Sequence, residues 1–418
     1  MFALDSVAEN TFMCPEVIRR ASDDVVKALY ADKSECLRHT QDTLGYTCDD
    51  ALHLFNDTVR YLRECDTLLA GMQEQLVQDN RRIESLNRGA KLIHQPLGRV
   101  LMVIPGNVPL PLAIILPFSF LITGNNVIVV SAHKAKRLTD RLASYIEPVA
   151  DGRLTVWNGR TLDALDQLVD RNVIDALYYL GSSEHYTSIS TRCANTGTLL
   201  IYEGQANSAA VVDENFPVDV AAKHLVDAKT LWNGHMCSSP NVMAVHHNVW
   251  SQFQSHFHRL AAGYRLRSHA EDLIMPGARK MITLDEEPTH DVPGDSAFVP
   301  RLQVVGTLEE TWDCELFGPI AFALPYVDLS ALSKTLRGSP FQLQLSIFSD
   351  SDTVVNRLIQ ETQFARYCIN MVPTFQDPCL PWGGYGLSGN SPVAHFIQKS
   401  VRRALIENWT PECQLDYL

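Results

Sequence analysis

The strongest constraint on the fold lies between residues 98 and 202, where short apolar runs alternate with amphipathic stretches. "GRVLMVI" (98–104), "NVIVV" (126–130), "RLTVW" (153–157), "DALYYL" (175–180) and "TLLIY" (198–202) have the length and the β-branched and aromatic content of buried strands. The segments between them include "KRLTDRLASYIEPV", "TLDALDQLVD" and "SSEHYTSISTRC", which carry helical spacing. Strands separated by helices pair in parallel, with helices covering both faces of the sheet. Such a doubly wound α/β sheet binds ligands at the carboxyl ends of its strands. Here those are the loops after Ile104, Val130, Trp157 and Leu180.

A second α/β unit follows. It comprises a strand at "SAAVVD" (208–213), the helix "VDVAAKHLVDAKTLWN", a strand at "NVMAVH" and the helix "WSQFQSHFHRLAA". Strands return at "RLQVVG", "IAFALPYV", "LQLSIFS" and "YCINMV", and a last helix is predicted from about Pro392 to Leu405. Residues 264–300 are richer in Pro, Asp and Gly and read as loops, whereas about Pro15 to Ser85 reads as helix. At 418 residues the chain is long enough for two or three domains.

Composition narrows the function. A formal charge of −13 argues against a nucleic-acid or anionic-membrane surface. The apolar stretch "VPLPLAIILPFSFLIT" holds Pro109, Pro111 and Pro117 and falls short of the roughly 20 residues that span a bilayer, so it predicts a buried, kinked helix. The N-terminus lacks a basic region, and ten scattered cysteines without a CxxC pair read as reduced thiols, which points to a cytoplasmic protein. His246, His247, His256 and His258 lack convergent metal-ligand spacing, so no metal site is expected.

Several loops carry residues suited to chemistry. "PGNVP" puts Asn107 at the end of the first strand, as an amide donor or simply as a turn former. "GSSE" sets Gly181 and Ser182 before a helix, either a phosphate cradle or an ordinary cap. "YEGQANSAAVVD" places Glu203 at a sheet edge, as a base of raised pKa or as a surface acid. "CELFGPI" joins Glu315 to Phe317: the acid can accept ribose hydroxyls and the ring can pack on a planar group, or the two are an exposed acid and a core Phe. "NGHMCSSPN" places Cys237 in a turn, where a thiolate is reachable. Residues 384–389 fit GxGxxG, but too little chain follows for a complete βαβ unit, so this is not read as a dinucleotide fingerprint.

The order of these segments, "PGNVP", "GNNVIVV", "GSSE", "YEGQANSAAVVD", "NGHMC", "ELFGP" and "PWGGYGLSG", resembles the aldehyde dehydrogenase superfamily over roughly residues 95–400. The resemblance implies a Rossmann-like cofactor domain over 1–204, a catalytic α/β domain over 205–375, and a segment over 376–418 that returns to the active site and a small oligomerisation element. It implies Cys237 as nucleophile, Asn107 with the Cys237 N–H as oxyanion hole, and Glu203 as general base. Glu315 and Phe317 would hold the nicotinamide riboside, and Gly181 and Ser182 the pyrophosphate, with Ile104 and Pro105 beside the cofactor.

Departures from the family sharpen the expectation. Where most members have Lys-Pro-Ser-Glu to hold the adenosine ribose, this chain has Val130, Ser131, Ala132 and His133. Loss of the Glu removes repulsion against a 2′-phosphate while His133 and Lys134 offer positive charge, which favours NADP(H) and leaves NAD(H) open. "PGNVP", "ITGNN" and "CSSPN" resemble the bioluminescence-type acyl-CoA reductases, whereas "ELFGP" and "PWGGYGLSG" resemble ordinary aldehyde dehydrogenases. The favoured expectation is reduction of an acyl thioester, from CoA or a carrier protein, to an aldehyde. The alternative is oxidation of an aldehyde to an acid with Glu203 as base. The family also implies a homodimer or homotetramer.

Overall fold

The computed structural model describes residues 14–86, 90–264, 300–312, 315–372, 377–391 and 393–407. The loops expected over 264–300 fall almost wholly outside that set. Three helices come first, Pro15–Ala31, Lys33–Leu44 and the long Cys48–Leu86. Pro15 sits at the start of the first, where its missing N–H costs nothing, and Gly45 ends the second with φ +69°. Their buried faces, among them Ile18, Val25, Leu29, Phe55 and Leu62, share one core with the sheet that follows.

That sheet is the predicted one. Strands β2 (Arg99–Ile104), β3 (Asn126–Ser131), β4 (Leu154–Val156), β5 (Ala176–Leu180) and β6 (Leu199–Glu203) lie in the order β4-β3-β2-β5-β6, all parallel. The chain reverses its direction of winding between β2 and β5, so a crevice opens at their carboxyl ends, beyond Ile104 and Leu180. The apolar stretch after β2 is the buried helix Pro109–Ile122, apolar on nearly every side and packed on the long helix, where Tyr61 and Ser119 share a hydrogen bond of 2.7 Å. Among the described residues no helix is long and apolar enough to cross a membrane.

A second parallel sheet has the order β13-β12-β7-β8-β10-β9. It is built from β7 (Ala209–Val212), β8 (Val242–His246), β9 (Arg301–Val304), β10 (Ile320–Tyr326), β12 (Gln344–Phe348) and β13 (Arg366–Ile369). Helices Val218–Thr230 and Trp250–Ala261 cover one face of it. A short ribbon pairs β11 (Phe341–Gln342) with β14 (Tyr385–Gly386).

The C-terminal expectation needs correction. In place of a helix over 392–405 there is one turn of helix, Phe396–Lys399, and then strand β15 (Val401–Glu407). β15 runs antiparallel to β1 (Ala90–Pro96), a strand the sequence did not suggest, with Ala90 opposite Glu407 and Pro96 opposite Val401. Neither segment alternates cleanly, and their pairing joins residues more than 300 apart, so no local pattern announces it.

Candidate active site

A cavity of about 1050 Å³ opens at the carboxyl ends of the first sheet, and Asn107, Glu203, Cys237, Glu315 and Phe317 all line it. Ile104, Pro105, His133, Gly181 and Ser182 line it as well. The residues the sequence singled out therefore meet in one place. Two do not join them. Val130 is 1% exposed and packs among Leu101, Leu165 and Val169 in the core beneath the sheet, because its position in β3 turns it inward. The Lys134 side chain lies outside the described residues.

Cys237 follows an unusual run of backbone. Helix Val218–Thr230 ends, and Trp232, Asn233 and Gly234 then take φ of +49°, +53° and +69°. Left-handed backbone is unfavourable for a side chain as bulky as Trp, so it must be held from outside. The N-terminal helices supply the hold: Trp232 Nε1 donates to the Asp50 carbonyl at 3.0 Å and Asn233 Nδ2 to the Gly45 carbonyl at 3.0 Å. Gly234 is required, since a Cβ there would lie 2.3 Å from the Gly318 carbonyl. The Cys237 carbonyl accepts from Ser208 Oγ at 2.8 Å, and the Ser238 carbonyl accepts from Gln344 Nε2. Burial, then the nearby carboxylates Glu315 and Glu203, push the Cys237 thiol up.

Asn107 Nδ2 donates to the His235 carbonyl at 2.8 Å, and the Asn107 carbonyl accepts from Tyr46 OH at 2.5 Å. One N–H of the side-chain amide is thus anchored to the cysteine loop, and among the described residues the other has no hydrogen-bond partner. Gly181 donates its N–H to the Glu203 carbonyl at 3.1 Å, and a Cβ on Gly181 would meet the Tyr179 hydroxyl at 2.7 Å. Ser182 caps the turn Ser183–His185, accepting from the Glu184 N–H at 3.2 Å. Its capping role and its place on the cavity wall hold together.

The two carboxylates stand on different supports. Glu203 ends β6 and is 7% exposed; its Oε1 accepts from Lys399 Nζ at 2.6 Å and from the Tyr178 hydroxyl. Glu315 is 5% exposed, and its Oε1 accepts from the Ala206 N–H at 3.0 Å. Behind it the fully buried Lys229 donates to the Leu316 carbonyl at 3.4 Å. Burial pushes the Glu315 carboxyl up to about 8, against the Ala206 N–H and the Lys229 charge. Burial pulls the Lys229 ammonium down to about 7, against Glu315. Neither Lys399 nor Lys229 was anticipated. Each sits in a segment that reads as an ordinary amphipathic helix, and nothing local marks either as buried.

Residues 384–389 turn back on Glu203: the Ser388 carbonyl accepts from the Gly204 N–H at 3.1 Å, and Gly389 forms a bridge with Glu203. Among the described residues no group of three or more His, Cys, Asp or Glu side chains could hold a metal ion.

The sequence pattern of the "Aldehyde dehydrogenase family" matches residues 13–280 and 298–403. A probable coniferyl aldehyde dehydrogenase of Pseudomonas aeruginosa is 24% identical over 327 residues, covering 72% of this chain and 66% of the relative. The chain thus spans just under two thirds of that relative. The dimeric NADP-preferring aldehyde dehydrogenase of Rattus norvegicus is 23% identical over 80% of this chain and 77% of its own. Among solved structures, an NAD-dependent aldehyde dehydrogenase from Sinorhizobium meliloti superimposes with a TM-score of 0.81 at 16% identity, covering 96% of this chain and 85% of that one. These relatives carry the names of aldehyde dehydrogenases, and they give the expected acyl-CoA reductase branch no support. A family pattern that spans nearly all of the described fold makes this chain a member of the aldehyde dehydrogenase family.

Proposed function

We propose that the chain oxidises an apolar aldehyde to a carboxylic acid with NADP⁺ or NAD⁺, through a thioester on Cys237. The observation that carries the reading is that a nucleophile, an amide donor and a carboxylate base line one cavity, with the base buried in its wall. This exchanges the order of the two directions drawn from the sequence. The cysteine's neighbours favoured thioester reduction, but Glu203 beside Cys237 suits hydrolysis of an acyl-enzyme.

The residues present fit a nicotinamide dinucleotide. The crevice lies at the reversal point of a parallel sheet, Gly181 permits close approach, and Glu315 and Phe317 face the same space. When bound, the nucleotide supplies a hydride acceptor. Gly181 and Ser182 would hold its pyrophosphate, and Glu315 would accept ribose hydroxyls. At the end of β3 the wall offers Ala132 and His133 with no carboxylate, which supports tolerance of a 2′-phosphate and a preference for NADP⁺.

The chemistry asks little more of the chain. Cys237 Sγ, once deprotonated, bonds to the aldehyde carbon, and the Asn107 amide and the Cys237 N–H stabilise the oxyanion. Collapse of that adduct with loss of hydride leaves a thioester. Water then attacks the thioester carbon while Glu203 takes its proton, and the C–S bond breaks to release the acid and the thiolate. Leu54, Val108, Leu112, Ile115, Met236 and Phe396 make much of the wall apolar, which suits an aldehyde with a hydrocarbon body.

A single-turnover nicotinamide absorbance assay tests the reading. NADP⁺ with a medium-chain aldehyde and no CoA is expected to yield NADPH, more readily than NAD⁺ yields NADH. Consumption of NADPH that depends on a medium-chain acyl-CoA would instead establish the reductive direction.

A further inference from the structure

We propose that Lys399 is a positioning residue for deacylation, fixing one oxygen of Glu203 so that the other is left to take a proton from water. The inference rests on the acyl-Cys237 chemistry above. Lys399 Nζ and the Tyr178 hydroxyl both bind Oε1 of Glu203. Among the described residues no hydrogen bond reaches Oε2, and Oε2 is not one of the buried polar atoms sealed away from open space. Glu203 itself lines the cavity with Cys237. The carboxylate is therefore clamped on one side and open on the other.

The lysine is itself held in place. It ends the turn of helix Phe396–Lys399, and its N–H donates to the His395 carbonyl at 3.1 Å. The next residue is tied down twice: the Ser400 and Thr123 hydroxyls meet at 2.7 Å, and Asn125 Nδ2 donates to the Ser400 carbonyl at 2.9 Å. The Lys399 side chain is 3% exposed, with the Phe396 ring 5.8 Å from its ammonium. A buried ammonium seldom improves stability over an apolar side chain of similar size, so its presence behind a carboxylate that lines the cavity calls for a chemical role. The groups that face Glu203 are Tyr178 from β5, Lys399 from the C-terminal turn, Cys237 from its loop, and the Gly389 backbone; Glu315 lies elsewhere on the cavity wall. Lys399 is the cation of that group. Removing it leaves the Glu203 charge buried beside a cysteine that must itself become negative.

The experiment uses p-nitrophenyl acetate, an activated ester that acylates a thiolate without any nicotinamide, so it is separable from the aldehyde assay. Failure of aldehyde to yield NAD(P)H would sink the proposed reaction whatever the ester does. With the full chain, a burst of nitrophenolate reports acylation of Cys237, and the steady state reports deacylation. Lys399→Met is expected to keep the burst amplitude, slow deacylation by at least about tenfold, and move the acid limb of its pH profile upward. Lys399→Arg should recover most of the rate. In a Glu203→Gln background, where Lys399 has no carboxylate base left to position, adding Lys399→Met should change deacylation by no more than about twofold. A further slowing there by the full single-mutant factor would overturn the inference, as would a fall of burst and steady state together with no shift of the profile. Nitrophenolate release that persists unchanged in a Cys237→Ala variant would overturn it too, since the ester would then not be turning over through acyl-Cys237.

Discussion

Glu203 and Glu315 on the cavity wall each have a buried lysine behind them, and the two pairs are built in opposite ways. Lys399 touches Glu203 directly at 2.6 Å, and a phenol adds a second donor to the same oxygen. Lys229 and Glu315 are both buried, yet among the described residues no direct ion pair joins them. Each is satisfied by neutral backbone instead, the carboxyl by the Ala206 N–H and the ammonium by the Leu316 carbonyl. Attraction falls with distance while the cost of removing each ion from water does not. In the separated pair burial wins, and both groups are drawn toward neutrality near physiological pH. The contact pair suits a fixed base. The separated pair suits a site that must accept a charged ligand and release it.

The largest expected contrast comes from the same substitution in each pair. Glu203→Gln should slow deacylation by about 10²–10⁴-fold, the usual worth of a general base, while leaving nucleotide affinity unchanged. Glu315→Gln should do the reverse, weakening nucleotide binding by roughly tenfold or more above pH 8, where the acceptor it removes is a charged one, with ester deacylation nearly intact. Nucleotide titration by fluorescence and ester kinetics on both variants check this. Equal effects on both readouts would erase the distinction.

The separated pair also makes a pH prediction. Glu315 rises from 4.5 to about 8, so its ionisation costs the folded state stability progressively as pH climbs through that range. Lys229 falls from 10.5 to about 7, so its charge costs stability fully below 7, and that cost is relieved as pH rises from 7 to 10.5. The sum of the two costs is greatest between pH 7 and 8. A Lys229→Met, Glu315→Gln double variant should therefore be more stable than the parent by about 1–4 kcal/mol in that window, with the gap narrowing toward pH 5 and toward pH 10. Denaturant unfolding at three pH values measures it, and a gap independent of pH would contradict the assignment.

The contrast between the pairs also shows what the sequence could say. Short apolar runs and 3.6-period helices are local signals, and they located all five strands of the first sheet to within a residue or two at each end. Loop residues at strand ends were legible too, because topology brings Asn107, Gly181 and Glu203 to one edge. The partners were not. Lys399 lies 196 residues from Glu203 and reads as a solvent-facing lysine in a helix that the structure replaces with a turn and a strand. Lys229 sits in a correctly predicted helix, but its burial depends on the Glu315 loop packed against it. The left-handed Trp232 and Asn233 were likewise invisible, since bonds from Asp50 and Gly45 hold them and both lie more than 180 residues upstream.

The smallest expected effect probes how much of the Glu203 geometry depends on the lysine and how much on the phenol. Tyr178 is fully buried, and its hydroxyl shares Oε1 with Lys399, so Tyr178→Phe removes one donor and leaves the ion pair. An ordinary hydrogen bond contributes about 0.5–1.5 kcal/mol, which predicts a deacylation rate only two- to tenfold lower. Because the charge on Lys399 remains, the pH profile should keep its position, in contrast to Lys399→Met. A profile that moves as far with the phenol removed as with the ammonium removed would mean that hydrogen bonding, and not charge, fixes the base. The difference between the two pairs would then lie in their donors and not in their distance.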